Sequence, residues 1–270
     1  MNKLVLVLSA LAVGTVSATA ADLAPRYAKA PAPVVAAFNW TGFYIGGFVG
    51  GAFADGNAFS TEPLNVGGFA WNGGVLPNSY SLSNSVIAGG TIGWNYQPVG
   101  TNWLIGIEGE AGYIRVARTI QDINAINAGF AYPDSLDATR IGDWYGVIAG
   151  RLGFAADRAL FYAKGGVAFV EKNYGFADNC VVGGCGGGIL NLGHSGTHVT
   201  WAAGAGVEYA FTNNWSLKGE YLYLATHQTY TVTGVHAAGD TYTNSHTDPG
   251  VHTAKVGINY RFGGPVVAKY

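Results

Sequence analysis

The chain has 270 residues, a net charge of −2, 42 glycines and 13% aromatics, and only 11% of its residues are charged. Soluble domains carry about 25% charged residues, so an ordinary wetted globular surface is excluded and a β-rich protein with an apolar exterior is indicated. No basic surplus points to nucleic acid, and no segment after the N-terminus has the roughly 18 consecutive apolar residues of a membrane helix.

Residues 1–20 read as a secretory signal peptide. Lys3 precedes the apolar run from Leu4 to Val13, and Ala18-Thr19-Ala20 forms the small-residue cleavage pattern. The mature chain is expected to start at Ala21 or Asp22. Residues 21–39 contain Pro25, Pro31 and Pro33 and read as an extended periplasmic linker. A barrel is expected over 40–262, followed by a tail over 263–270.

From Trp40 onward the pattern is β. Eight apolar segments follow, at roughly 41–53, 84–97, 102–114, 142–155, 159–170, 198–211, 215–226 and 251–262. Each has about the length of a tilted membrane strand, ~9–11 residues or somewhat more. Three connections, "PVGT", "ADR" and "TNN", are tight turns. The other four are long, polar and rich in Gly, Asn, Ser and Thr. Short turns on one side and long loops on the other describe an all-β, eight-stranded, antiparallel, up-and-down transmembrane β-barrel.

The strand "WLIGIEGEAGYI" tests this reading, because it carries two carboxylates in an apolar context. In a strand, residues i and i+2 share a face. Glu108 and Glu110 therefore lie together, opposite Trp103, Ile105, Ile107 and Tyr113. Other strands repeat the split, with Lys255, Asn259 and Arg261 against Val256, Ile258 and Tyr260, and Lys218 and Glu220 against Leu217 and Tyr221. With Arg151, Lys164 and Glu208, nine charges share the inner face. A soluble barrel or sandwich would show the reverse or carry more charge. Placed inward, the charges can pair while the apolar face meets lipid. A salt-bridged, filled core is expected, since eight strands leave little more than side-chain room. A narrow ion pathway lined by these charges is the alternative.

Aromatics recur at the turn ends: Phe38, Trp40, Phe43, Trp94, Tyr96, Trp103, Phe154, Phe161, Tyr209, Phe211, Trp215, Tyr260 and Phe262. They read as the girdle of a barrel at the lipid–water boundary. All six histidines fall between 194 and 252, in or beside the third and fourth outward loops. His is the commonest metal ligand, so His194 and His198 are candidates for a haem or ligand site. Their four-residue spacing suits a metal only on a helix, which "HSGTH" does not resemble. His194, Ser195 and His198 also suggest a lipid-modifying dyad, but no motif supplies a partner acid. No catalytic residue, metal or cofactor is assigned.

Three stretches, "FNWTGFYIGGFVGG", "AGAGVEYAFTNNWSLKGEYLYL" and "HTAKVGINYRF", resemble small alphaproteobacterial outer-membrane barrels, the outer-membrane immunogenic or opacity-like porin family. The resemblance runs from about residue 20 to 262. It implies an eight-stranded barrel in the outer membrane of a Gram-negative bacterium, surrounded by lipid and lipopolysaccharide and inserted by the barrel-assembly machinery. It implies a structural, surface-facing role with limited porin-like permeability. Some relatives are described as binding haem or host surfaces, so a receptor working through the outer loops is the alternative. The sequence does not set the oligomeric state. Such barrels end on an aromatic read during assembly; Phe262 closes the last strand here, but "GGPVVAKY" follows, so either Phe262 or Tyr270 can serve.

Cys180 and Cys185 frame "CVVGGC" in an exported loop. An oxidising compartment favours their pairing, although so short a loop adds little stability. Mass spectrometry of the unreduced protein should show Cys180 joined to Cys185. Two free thiols would refute the pairing.

Overall fold

The computed structural model describes residues 38–61, 77–123, 126, 135–178, 190–235 and 241–263. The signal peptide, most of the proline-rich segment, Cys180, Cys185, His236 and Tyr270 lie outside the described residues.

The membrane-length strands are β1 (Gly42–Ala54), β4 (Ser85–Tyr96), β5 (Trp103–Tyr113), β10 (Trp215–Leu224) and β13 (Val251–Arg261). Three longer ones are β7 (Leu136–Ala156), β8 (Ala159–Asp178) and β9 (Leu190–Ala210). Each pairs antiparallel with two neighbours, in the cyclic order β1, β4, β5, β7, β8, β9, β10, β13 and back to β1. The ring of eight leaves no open edge, which is what a sheet in lipid requires.

The wall alternates as the inward-charge pattern demands. Ile105, Ile107, Ile148, Leu152, Leu217 and Val256 face outward, 54–60% exposed. Phe43, Trp94, Tyr96, Trp103, Phe154, Phe161, Tyr209, Trp215 and Phe262 are exposed at the turn end. A second ring at the opposite end includes Tyr113, Trp144, Trp201 and Tyr221. The two rings bracket an apolar belt, as in outer-membrane barrels. Phe38 and Trp40 are not part of the girdle. Trp40 is buried at 3%, its ring edge to Phe38, and its indole N–H donates to the Asp157 carbonyl at 3.1 Å. The end of the expected linker thus folds under the barrel as a plug.

The long outward connections also differ from expectation, because much of their length is strand. β7, β8 and β9 have 21, 20 and 21 residues, about twice what crosses the bilayer. β6 (Arg115–Gln121) continues the line of β5 beyond Ile114 and pairs with the outer half of β7. A second sheet, ordered β11-β12-β2-β3, is built from the first and fourth connections: β2 (Asn57–Thr61), β3 (Asn78–Ser81), β11 (Gln228–Val235) and β12 (Thr241–Asp248). Their Thr, Tyr and Val content supports strand, but the pairing of β2 with β12 joins residues nearly 190 positions apart, which local pattern does not show.

This outer tier has its own buried polar network. Asp137 accepts from Ser60, Asn78 and Tyr174 at 2.7, 2.6 and 2.8 Å. His246 is buried under the Tyr174 ring, centroids 4.1 Å apart, with Nε2 2.9 Å from Asp248 and 3.1 Å from Thr139. Asp248 also accepts from Tyr230 at 2.7 Å and pairs with Lys172 at 3.1 Å. Burial pushes the Asp248 carboxyl up, but the His246 hydrogen bond and the Lys172 charge outweigh it and hold the group below its ordinary value. A depressed folded value means the stabilisation is complete above the ordinary 3.8 and is lost as pH falls below it. Amide exchange in β11 and β12, corrected for its intrinsic pH dependence, should therefore accelerate in that acid range. Asp248→Asn should loosen the tier already at neutral pH, by about 1–3 kcal/mol.

Candidate functional site

Nine charges predicted on the inner face all lie inside the barrel and all are buried, none above 7%. Alternation puts them there, and strand register brings eight of the nine to similar height. Gly106 pairs with Arg151, Arg151 with Lys164, Lys218 with Glu208, and Glu220 with Lys255. The side chains then reach across the lumen as well as along the wall.

Lys164 of β8 is the hub. Its Nζ lies 2.7 Å from Glu108, 2.8 Å from Glu110 and 2.7 Å from Glu220. Lys255 pairs with Glu110 and, at 2.8 Å, with Glu220. Arg151 pairs with Glu208 at 2.6 Å and approaches Glu108 at 3.7 Å. Lys218 stands farther off, 3.8 Å from Glu108 and 3.9 Å from Glu220. Four acids and four bases therefore balance. Isolated, each would carry a desolvation cost of several kcal/mol; together the attraction offsets much of it.

Arg261 is the exception among the nine. Its guanidinium donates to the backbone carbonyls of Asn39 and, at 2.7 Å, Asn213. It lies over the Phe38 ring at 4.5 Å. The last strand ends at this height, so Arg261 seals the periplasmic mouth below the charge layer instead of joining it.

Sequence reasoning put Asn259 on the inner face but missed the other neutral partners. Tyr44, Tyr145 and Tyr162 donate to Glu108, Glu110 and Glu220 at 2.7, 2.6 and 2.8 Å. Ser216 and Asn259 donate to Glu208 at 2.5 and 2.8 Å. The Tyr162 ring also carries the Arg151 guanidinium at 3.6 Å. Inward parity was the available signal: Tyr162 lies two residues from Lys164, and Ser216 two from Lys218. Glycine makes room for the rings. A Cβ on Gly206 would lie 2.5 Å from the Tyr162 ring, and one on Gly93 2.4 Å from Tyr44.

Glu108, Glu110 and Glu220 are close enough together to hold a metal ion. Lys164 already supplies the positive charge between them, so the triad has its cation from the chain itself. Above the layer, Ile87, Ile141, Leu222 and Leu224 form an apolar stratum, which Phe48 and Val147 join to the charges. Below it, the space lined by Trp40, Tyr44, Glu208 and Arg261 amounts to 10 Å³, room for about one water.

Among the described residues, the histidines fall at three separate places. His194 and His198 lie on β9, where four residues span about 13 Å, so the two cannot ligate one ion together. His194 is exposed against Tyr230, ring centroids 5.3 Å apart. His227 and His252 sit at the outer rim beside Tyr223 and Tyr221, and His246 is buried in the outer tier.

Comparison with known proteins follows the same lines. The outer membrane protein beta-barrel domain family matches residues 7–262. The 31 kDa outer-membrane immunogenic protein of Brucella melitensis is 31% identical over 271 residues, covering 96% of this chain and 100% of that protein. The 25 kDa outer-membrane immunogenic protein of Brucella canis is 27% identical over 266 residues, covering 97% and 99%. Among solved structures, OprG of Pseudomonas aeruginosa aligns over 83% of this chain and 97% of its own, at 15% identity and a TM-score of 0.49.

Removing the hub should expose its role. Lys164→Met leaves three carboxylates facing one another and should destabilise the refolded barrel by about 3–5 kcal/mol. Adding Glu110→Gln should recover part of that loss. Denaturant titration followed by the gel shift of folded barrel checks both.

Proposed function

The chain belongs to the outer membrane protein beta-barrel domain family, and from that premise we propose that it is a non-enzymatic structural and surface component of the Gram-negative outer membrane, with a closed lumen. The observation that carries this reading is the dryness of the charge layer. The side chains of Arg151, Glu108 and Lys255 expose 0% of their surface. A water-filled channel would wet the charges that line it. Here Arg151, Lys164 and Lys255 are spent on the glutamates, the glutamates also take tyrosine hydroxyls, and the apolar stratum lies across the same axis.

Surface function then belongs to the outer tier, the part that stands beyond the lipid. The curated relatives are named for being immunogenic, and a protruding β-tier held by buried hydrogen bonds is a suitable rigid antigenic surface. A haem receptor built on paired His194 and His198 draws no support from their separation along β9.

The deciding experiment is conductance of the refolded mature protein in a planar bilayer. A silent membrane is expected, with folding verified by the heat-modifiable gel shift. Reproducible discrete steps, with ion selectivity shifted by Glu108→Gln, would overturn the closed-lumen reading and make the protein a channel.

A further inference from the structure

The lipid-facing wall carries one feature that neither the charge layer nor the belt explains. Arg115 and Arg140 point outward from adjacent strands. Arg115 pairs with Gly142, and Arg140 with Ala117, so the two arginines are diagonal neighbours, about 7–8 Å apart by sheet geometry. Just past Arg140, β7 bulges on its other side: its register with β8 shifts between Ile141 and Tyr145.

The bulge is specified by the sequence. Gly142 has φ +107, and a Cβ there would lie 1.8 Å from the Ile114 carbonyl oxygen. Asp143 holds φ +56, a left-handed conformation unusual for a residue with a side chain. Bulges commonly re-aim a side chain. This one sets the Asp143 carboxylate 2.8 Å from Arg140 and 3.6 Å from Arg115. The carboxylate orients both guanidiniums without consuming them. Arg115, Arg140 and Asp143 remain 53%, 30% and 35% exposed, and one carboxylate leaves terminal N–H donors on each guanidinium for another acceptor.

Beside the trio runs an open groove of about 410 Å³ with a floor of Ala117, Ala138 and Gly175 and a wall at Asn173. Arg118 closes one end, donating to the Ser81 carbonyl at 3.4 Å. Three arginines there face two acids, Asp143 and Glu171, the latter in contact with Asn173 at 3.4 Å. The surplus is positive.

Height decides what the groove meets. Tyr113, 47% exposed, lies two residues below Arg115 on the same face, and Trp144, 44% exposed, follows Asp143 directly. Tyr and Trp mark the lipid–water boundary. Below them Ile148 and Leu152 face the acyl chains. The arginines therefore sit in the headgroup layer of the outer leaflet.

We propose that Arg115 and Arg140, oriented by Asp143, bind a phosphate group of a membrane-embedded glycolipid, the lipid A moiety of lipopolysaccharide. Guanidinium forks match phosphate oxygens with paired, charge-assisted hydrogen bonds. The apolar groove floor lies along the sugar, and the acyl chains descend over Trp144 and Ile148. The site is on the outside of the wall, so it operates whether or not the lumen conducts.

The test uses the refolded full-length mature chain in detergent micelles doped with bisphosphorylated lipid A, fully dephosphorylated lipid A or phosphatidylglycerol. Native mass spectrometry counts the lipid retained per chain. Wild type should retain bisphosphorylated lipid A over the other two lipids, and less of it as salt rises. Arg115→Gln/Arg140→Gln, with its fold verified by gel shift, should retain about tenfold less. Arg158→Gln, at a turn on the periplasmic side, should behave as wild type. Equal retention by the double variant would overturn the proposal. So would equal retention of dephosphorylated lipid A by wild type, a comparison that needs no variant. Equal retention of phosphatidylglycerol would overturn the glycolipid assignment, and displacement of lipid A by millimolar inorganic phosphate would reassign the arginines to a free anion.

Discussion

The Lys164 ammonium, held by Glu108, Glu110 and Glu220 at 2.7–2.8 Å, is the contact on which the rest of the interior depends. A barrel in lipid faces a constraint opposite to that of a soluble protein. Its exterior must be apolar, so polar groups are gathered inside, where water is scarce and charge is costly. Mutual neutralisation resolves this. Because the partners come from different strands, the same contacts brace the wall across its lumen: Lys255 reaches Glu110 from β13 to β5, strands that are not neighbours in the ring. The tyrosines then follow, since each carboxylate has more lone pairs than the cations can fill. The glycines follow from the tyrosines, since rings of that size need a wall without Cβ atoms beneath them.

The interior is stratified by height. Trp40, Phe38 and Arg261 close the periplasmic mouth. The charge layer lies above, then the apolar stratum around Ile141 and Leu222, then the polar network of the outer tier around Asp137 and His246. Most polar atoms in each layer are satisfied locally; Arg151 Nε and Lys218 Nζ in the charge layer, and Asn244 Nδ2 and His246 Nδ1 in the outer tier, are buried without a hydrogen bond. Such an interior resists compression and water entry, and it leaves the outside of the molecule as the place where anything is recognised.

That outside is not uniform. On one flank of the outer rim, Tyr221, Tyr223, His252 and Asp55 make a mostly neutral, hydrogen-bonded cluster. On another, the β7 bulge gathers arginines. Both lie just beyond the belt, where lipid gives way to headgroup. The difference arises from one irregularity: without the bulge Asp143 would stay in the ladder, and the two arginines would repel instead of sharing a counterion.

The sequence by itself determined the barrel, its location, its number of strands and which charged residues face inward. These follow from a two-residue period, which any strand must obey and which a slip of one residue would invert. Even the pairing of two glutamates on an apolar strand was legible that way. Tertiary structure alone decided the rest. Period two assigns Arg261 to the inner face but not its height, and height is what separates it from the charge network. Trp40 and Phe38 looked like girdle because composition carries no direction; packing against Arg261 turned them inward. His194 and His198 looked adjacent because four residues is a short distance on paper, while an extended strand separates them by about 13 Å. The outer tier was read as loop because its strands pair with partners remote in sequence, as β2 does with β12. Contacts of that kind leave no local periodicity beyond the strands' own, and only closure of the barrel brings their ends together.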